Sequence, residues 1–95
     1  MTKPIVEPGR LVVSRQGRDA GRPMLIVKVI DEDYVFVADG DLRKLSNPKK
    51  KKLKHLYCKD VVHTQIKDAL QEGKPLLDSD IRRAIYDVFG CKDGQ

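Results

Sequence analysis

The alternation of apolar and polar positions predicts that the first half of the chain is rich in strands. The β-branched run at 11–15 is short enough for one strand, and 24–30 is apolar at all but one position, which is typical of a central strand buried on both faces. Between these runs, two glycines and a proline within 16–23, the glycine loop, predict a chain reversal. The acidic turn at 31–33 then predicts a hairpin into a third strand at 34–38.

These three strands, with a turn signal at each junction, predict a small antiparallel sheet. Such a sheet must curl or gain strands to protect its edges, and a small barrel is the economical solution. Alternation at 53–58 predicts a returning strand that closes the barrel, and the basic segment before it is predicted as a loop. We therefore assign residues 1–62 to a barrel that includes a basic loop at 43–54.

The apolar period of the last third of the chain changes from two to 3.6, which predicts helices. Three apolar residues within 66–70 share one helical face, and glycine and proline within 73–75 end that helix. A second helix is predicted with Ser79 as its N-cap and Gly90 beyond its end. Its apolar face consists of Ile81, Ala84, Ile85, Val88 and Phe89. Because short helices are marginal alone in water, we expect the C-terminal extension at 63–95 to pack on the barrel, giving a mainly β (α+β) fold.

Composition restricts the classes of function open to this chain. Ninety-five residues, 40% hydrophobic and 35% charged, support one domain with a modest core and leave little room for a deep, dry active site. No apolar stretch reaches the roughly 20 residues that span a bilayer, and the start of the chain lacks the apolar segment of a signal peptide, so we expect a cytoplasmic protein with no membrane partner. Cys58 and Cys91 have no paired spacing and are expected to be reduced thiols.

Positive charge is concentrated in two segments of a chain whose formal net charge is +5. Residues 43–59 hold eight lysines or arginines and no acid, and residues 10–28 hold five against one acid. This distribution favours a localised anionic partner over a general device for solubility. A lysine run is often only a solvated loop, but Pro48 before this run, with Leu53 and Leu56 after it, favours a segment presented to a partner.

The residue types in both basic segments favour binding to RNA phosphates. Adjacent lysines suit phosphate neutralisation, and arginine binds a phosphate with two hydrogen bonds. Glycine lets the backbone approach a phosphate closely. Tyr34 and Phe36 are expected to pack in the sheet, which leaves no obvious stacking platform for single-stranded bases and favours structured or double-stranded RNA. The candidate RNA-binding residues are Arg10, Arg15, Gly17, Arg18, Gly21, Arg22, Lys28, Arg43, Lys44, Lys49, Lys50, Lys51, Lys52, Lys54 and His55.

Catalytic and metal-binding sites have no support in the sequence. His55, Cys58 and His63 fall within nine positions, but a closed zinc site needs four ligands, and Cys91 would have to fold back across the helices. The serines lack the glycine-framed context of a nucleophile, and no Gly-Lys-Ser/Thr phosphate-binding pattern occurs. We therefore predict a protein that is not an enzyme and that uses no cofactor, metal or small-molecule substrate.

Residues 9–30 resemble a KOW motif, in which Gly-Arg opens a strand and a Gly-x-x-Ala-Gly-Arg/Lys loop leads into an apolar strand. The residues that match the loop are Gly17, Ala20, Gly21 and Arg22. The sequence Val-Ala-Asp-Gly at 37–40 matches the far side of the motif's hairpin, and the basic run at 49–56, which ends in His-Leu, is similar to that of the family. The match covers residues 5–58 and resembles in particular the KOW-bearing large-subunit ribosomal proteins of the fourteen-e type.

This resemblance implies an SH3-like barrel that binds ribosomal RNA, or another structured RNA, through the KOW loop and the adjoining basic segment, without catalysis. The predicted protein is thus a ribosomal or ribosome-associated RNA-binding protein of translation, and the large ribosomal subunit is its expected partner. The resemblance does not include the helical tail at 64–90. The alternative, from another class of function, is a protein-interaction module of the transcription or translation machinery whose lysines only tune association.

Overall fold

A computed structural model describes residues 6–18 and 20–89. Five strands form one antiparallel sheet in the order β4-β3-β2-β1-β5. The strands are β1 Arg10–Ser14, β2 Pro23–Val29, β3 Tyr34–Ala38, β4 Lys49–Lys52 and β5 Leu56–Val62. A 3-10 turn at Leu53–His55 joins the two edge strands, β4 and β5, so the sheet curls into the small SH3-like barrel that the sequence predicts. Two helices follow, α1 Thr64–Glu72 and α2 Asp78–Phe89.

Strands β1 and β2 are buried on both faces, as the apolar run in β2 predicts. Successive side chains of a strand point to opposite sides of the sheet. Val12 therefore packs inside the barrel with Met24 and Ile26, whereas its neighbour Leu11 packs outside with Leu25. All five side chains are 0% exposed. The protein thus has one core inside the barrel and a second core between the sheet and the helices.

Helix α2 contributes Ile81 and Ala84 to this outer core, both on the apolar face that the sequence spacing predicts. Partly buried residues of both helices pack around them: Leu70, Ile85, Val88 and Phe89. Helix α1 ends as predicted, because Gly73 adopts the left-handed conformation, with φ at +72°. No helix in the part of the chain that the structure describes is long and apolar enough to cross a membrane.

The lysine run is the main correction to the predicted fold, since Lys49–Lys52 form strand β4 and not a loop. β4 pairs antiparallel with β3 and places Lys51 opposite Val35. Lysine is favoured on edge strands because its charge discourages pairing with a second chain. The returning strand also begins later than predicted, at Leu56, because Leu53–His55 form the 3-10 turn.

The start of α2 also differs from the prediction. The helix begins at Asp78, so Ser79 lies inside the first turn and is not the N-cap. Asp80 takes over part of that role, because its Oδ2 accepts a hydrogen bond of 2.9 Å from the Leu77 backbone N–H. Gly90, predicted to lie beyond the helix end, is outside the described residues.

Replacement of Ile81 by alanine tests the outer core. We expect Ile81→Ala to lower the free energy of unfolding by about 2–5 kcal/mol, because it removes a fully buried side chain and leaves a cavity. Urea denaturation followed by circular dichroism measures this loss. Leu77→Ala is the control: Leu77 is 67% exposed, and its loss should change the free energy of unfolding by less than about 0.5 kcal/mol. Equal losses in the two variants would contradict the outer core.

A pair of glycines tests the packing of the loop after β3 on α2. Gly40 and Gly73 have similar φ values, +77° and +72°, but a Cβ at Gly40 would lie 2.3 Å from the Asp78 carbonyl oxygen, whereas nothing lies within 4 Å of one at Gly73. We expect Gly73→Ala to cost about 1 kcal/mol for the left-handed backbone alone. Gly40→Ala should cost clearly more in the same urea titration, because the loop must move away from the helix. Equal stability of the two variants would show that this contact is absent.

Candidate nucleic-acid interface

The two basic segments of the sequence meet at one end of the barrel. The glycine loop closes where the Gly21 N–H donates a hydrogen bond of 2.7 Å to the Ser14 carbonyl oxygen. From β4, the Lys51 ammonium group donates a hydrogen bond of 2.9 Å to the Gln16 carbonyl oxygen within this loop. The glycine loop and the lysine strand, far apart in sequence, are thereby held side by side.

A pocket of about 250 Å³ opens at this end, and we call it the mouth pocket. Its lining comes from the glycine loop, the start of β2, the loop after β3 and the start of β4. The lining residues are Arg18, Arg22, Met24, Leu42, Arg43 and Lys49. Met24, which is fully buried, forms an apolar base, and Leu42, which is 67% exposed, forms an apolar part of the wall. The other four lining residues are cations.

Asp39 organises one side of the mouth pocket. This residue is only 4% exposed, and its Oδ2 accepts a hydrogen bond of 3.0 Å from Arg22 Nη1. Its Oδ1 accepts the backbone N–H groups of Asp41 and Arg43 at 2.9 and 2.8 Å. The Arg22 side chain remains 35% exposed. One buried carboxylate therefore fixes both the direction of an accessible guanidinium and the conformation of the loop after β3.

Helix α2 holds the same loop from the other side. Arg82 Nη1 donates a hydrogen bond to the Gly40 carbonyl oxygen, and Asp78 Oδ1 accepts one of 2.7 Å from the Leu45 backbone N–H. The described part of the helical extension, residues 63–89, contributes no lining residue to the mouth pocket. It nevertheless fixes the loop that carries Leu42 and Arg43.

The alternation of β4 divides the lysine run between two sides of the sheet. Lys49 and Lys51 face the side that forms the barrel interior; Lys49 lines the mouth pocket, and Lys51 is 7% exposed. Lys50 and Lys52 face the outer side. Their ammonium groups lie 4.7 and 5.8 Å from the centroid of the Tyr34 ring.

Two of the predicted RNA-binding residues, Arg10 and Lys51, serve the fold. Arg10 is 7% exposed; its Nη1 donates a hydrogen bond of 2.7 Å to the Lys59 carbonyl oxygen, and its Nη2 lies 3.7 Å from a Glu7 carboxylate oxygen. Lys51 has the same exposure, and its ammonium group donates a hydrogen bond to the Gln16 carbonyl oxygen. Since both side chains are largely buried and bonded within the fold, the structure does not support their assignment as phosphate contacts.

The other predicted residues lie around these surfaces. Gly17 and Gly21 give the glycine loop its turns, with φ at +90° and +86°. His55 is half-buried in the 3-10 turn, where its carbonyl oxygen accepts the Arg15 N–H at 2.8 Å. Four further predicted cations are exposed: Arg15, Lys28, Lys44 and Lys54.

The sequence analysis missed Asp39 and Leu42 as parts of this site. An aspartate directly after a strand, followed by glycine, is a signal for a loop that bonds its backbone to the carboxylate. That signal locates the turn at Asp39 but does not indicate Arg22 as the second partner of the carboxylate. Leu42 carries no signal, because a leucine in a polar loop is interpretable only once its neighbours in space are known.

His55, Cys58 and His63 belong to no metal-binding cluster among the described residues. Within residues 6–18 and 20–89, no three His, Cys, Asp or Glu side chains lie close enough together to hold a metal ion. Burial raises the pKa of the Cys58 thiol, which makes it a poor nucleophile at neutral pH. Cys91, predicted to be a reduced thiol, lies outside the described residues.

Comparison with known proteins identifies relatives in archaea, whereas no protein-family model matches the chain. It is 40% identical over 55 residues to the large ribosomal subunit protein eL14 of Desulfurococcus amylolyticus, a match that covers 56% of the chain and 55% of that protein. It is 52% identical over 33 residues to eL14 of Aeropyrum pernix, a match that covers 35% of the chain and 33% of the relative. The chain thus spans about half or less of the length of these two relatives.

A third relative matches over almost the whole chain. Identity to eL14 of Saccharolobus islandicus strain L.S.2.15 is 30% over 85 residues, which is 90% of this chain and 81% of that protein. This match is longer than the segment at 5–58 that carries the KOW resemblance, and it confirms the family that the motif predicts. The chain therefore belongs to the eL14 family of large ribosomal subunit proteins.

Proposed function

We propose that this protein is a non-catalytic, cytoplasmic component of the large ribosomal subunit that binds ribosomal RNA through the mouth pocket. One observation carries the proposal: cations from three separate segments of the chain, Arg18 and Arg22, Arg43, and Lys49, surround one pocket. The family supports it, because the relatives are named as proteins of the large ribosomal subunit.

The phosphate groups of RNA suit the chemistry of the mouth pocket. Arginine presents a planar fork of N–H donors that binds phosphate with two hydrogen bonds, and lysine adds a point charge. Because Asp39 already holds Arg22 in place, less side-chain entropy is lost when RNA binds. Contacts of this kind position a folded RNA by its backbone and do not read its bases.

The proposed contact surface extends beyond the pocket to the exposed parts of the glycine loop and the 3-10 turn. The positive φ values of Gly17 and Gly21 leave backbone without side chains in the loop, where a phosphate can approach closely. The proposed RNA-binding residues of the mouth pocket, the segments beside it and the 3-10 turn are Arg15, Gly17, Arg18, Gly21, Arg22, Arg43, Lys44, Lys49, Lys54 and His55.

A protein-interaction module is the second candidate function, and apolar exposure on the edge strand β5 favours it. Tyr57 and Val61 are 59% and 41% exposed there. An edge strand of this kind can pair with an extended segment of another protein. The two functions differ in their response to salt, because phosphate contacts release counterions and apolar contacts do not.

Charge reversal in the mouth pocket tests RNA binding. We expect Arg18→Glu with Arg43→Glu to weaken the binding of a hairpin from large-subunit ribosomal RNA at least roughly tenfold. The slope of log affinity against log salt between about 50 and 200 mM should become shallower by about two, because each phosphate contact contributes about 0.9 to it. Fluorescence anisotropy with labelled RNA measures both quantities.

The matched control places the same change of charge on the helical extension, as Lys74→Glu with Arg83→Glu, two exposed positions in the loop between the helices and on α2. It should alter affinity only slightly and leave the salt slope almost unchanged. Equal effects of the two double variants would refute the assignment of the mouth pocket. A salt profile that is flat in the unmodified protein would favour the protein-interaction module.

Sedimentation in a cell extract tests the proposed partner. We expect the protein to migrate with the large subunit in moderate salt and to leave that fraction after ribonuclease treatment, because RNA supplies the contact. The Arg18→Glu, Arg43→Glu variant should stay near the top of the gradient. Migration of the unmodified protein at the top without ribonuclease would rule out stable association with the subunit.

A further inference from the structure

The helices pack on the outer side of β1 and β2, whereas the outer side of β3 and β4 is only partly covered by the described residues: Tyr34 and Phe36 are half-buried there and Ala38 is fully buried. Leu11 and Leu25 lie under the helices in the outer core. Tyr34 and Phe36, which alternate with the interior valines of β3, also point outward but belong to neither core cluster of the described residues. Both are half-buried, so part of each aromatic side chain is accessible to solvent.

Three lysines flank these two aromatic rings. On β4, Lys52 lies opposite Tyr34 and Lys50 lies opposite Phe36; on β2, Lys28 lies opposite Phe36 from the other side. Residues directly opposite each other in adjacent strands share a face, so these five residues form one surface, the aromatic–lysine face. Strands β2, β3 and β4 contribute no Asp or Glu to this face, and the acidic turn at 31–33 borders it beside Tyr34.

The lysine ammonium groups are held close to the ring of Tyr34. The distances of 4.7 and 5.8 Å from Lys50 and Lys52 to the ring centroid are those of cation–π contacts. At an exposed site such contacts are weak, and a phosphate attracts an ammonium group more strongly than a ring does. A bound phosphate would therefore draw these lysines aside and uncover the face of the ring.

Unpaired RNA fits this combination better than other anions do. In a duplex the bases are already stacked and paired, so only phosphates and groove edges reach a flat protein surface. An acidic peptide would engage the lysines but would make no stack on the rings. An unpaired nucleotide can engage the rings and the lysines together, because its base can stack on an aromatic ring and its phosphate can pair with a lysine.

We propose that the aromatic–lysine face binds unpaired RNA, with one base stacked on Tyr34 and the next against Phe36, while Lys28, Lys50 and Lys52 contact the flanking phosphates. Residues two apart on a strand are separated by roughly 6–7 Å, which suits two bases that are not stacked on each other. The inference rests on the proposed RNA-binding function and adds a second type of RNA segment to it, beside the structured RNA at the mouth pocket.

Single-stranded RNA of ten nucleotides, labelled for fluorescence anisotropy, tests the inference on the full chain. One probe is oligoadenylate and the other is the same backbone with abasic sites. We expect Tyr34→Leu to weaken oligoadenylate binding about fivefold or more, and Tyr34→Phe, which keeps the ring, to remain within about twofold. The abasic probe should bind the unmodified protein more weakly than oligoadenylate does, and Tyr34→Leu should not change its affinity.

Tyr57→Leu is the matched control, because Tyr57 is also a tyrosine on a strand, is 59% exposed, and has the Lys59 ammonium group 5.0 Å from its ring centroid. It lacks the second aromatic ring and the further lysines, so its loss should leave oligoadenylate binding unchanged. Thermal unfolding checks that each variant is folded. Should Tyr34→Leu fail to fold, Lys50→Gln with Lys52→Gln at the edge strand should still weaken oligoadenylate binding.

The outcomes separate this inference from the proposed function. Equal affinity of Tyr34→Leu and the unmodified protein for oligoadenylate would overturn the inference, as would equal binding of the base-bearing and abasic probes. Polyglutamate that competes fully with oligoadenylate at equal charge would also overturn it and would indicate an acidic protein partner. If the ribosomal hairpin still binds in any of these cases, only the inference fails; if neither RNA binds, the proposed function fails as well.

Discussion

Leu11 and Val12 are neighbours in β1 that point to opposite sides of the sheet, and both are fully buried. The remaining architecture follows from this constraint, because an antiparallel strand buried on two faces needs cover on each. The curled sheet covers Val12 from inside the barrel, and α1 and α2 cover Leu11 from outside. Because the helices pack over β1 and β2, the described residues leave Tyr34 and Phe36 on the outer side of β3 only half-buried.

The structure around the mouth pocket depends on two buried charged side chains, Asp39 and Lys51. Asp39 joins Arg22 to the loop after β3, and Lys51 joins β4 to the glycine loop. A buried charge without a partner is costly, so each of these groups holds its partner in one place. The Arg22 guanidinium and the backbone of the loop that carries Arg43 are therefore fixed in the unbound protein, which favours the proposed binding of phosphates.

Strand β4 shows how one run of identical residues acquires different roles. Alternation sends Lys49 and Lys51 to the barrel side and Lys50 and Lys52 to the outer side. On the barrel side, Lys49 lines the mouth pocket, and Lys51 donates a hydrogen bond to the glycine loop. On the outer side, Lys50 and Lys52 make cation–π contacts with the Tyr34 ring. The proposed contacts to structured RNA and to unpaired RNA therefore use opposite faces of one short strand.

The other four strands of the barrel, the apolar face of α2 and the family could be predicted from the sequence, because alternation, helical spacing and the glycine loop are local signals. The strand at 49–52 could not, since four lysines have no apolar alternation and become a strand only by pairing with β3. Burial of Arg10 and Lys51, the pairing of Arg22 with Asp39 and the partial burial of Tyr34 likewise depend on segments far apart in the chain. The sequence by itself determined where the charge lies, and only the tertiary structure decided which charges face solvent, because that choice is made by neighbours in space.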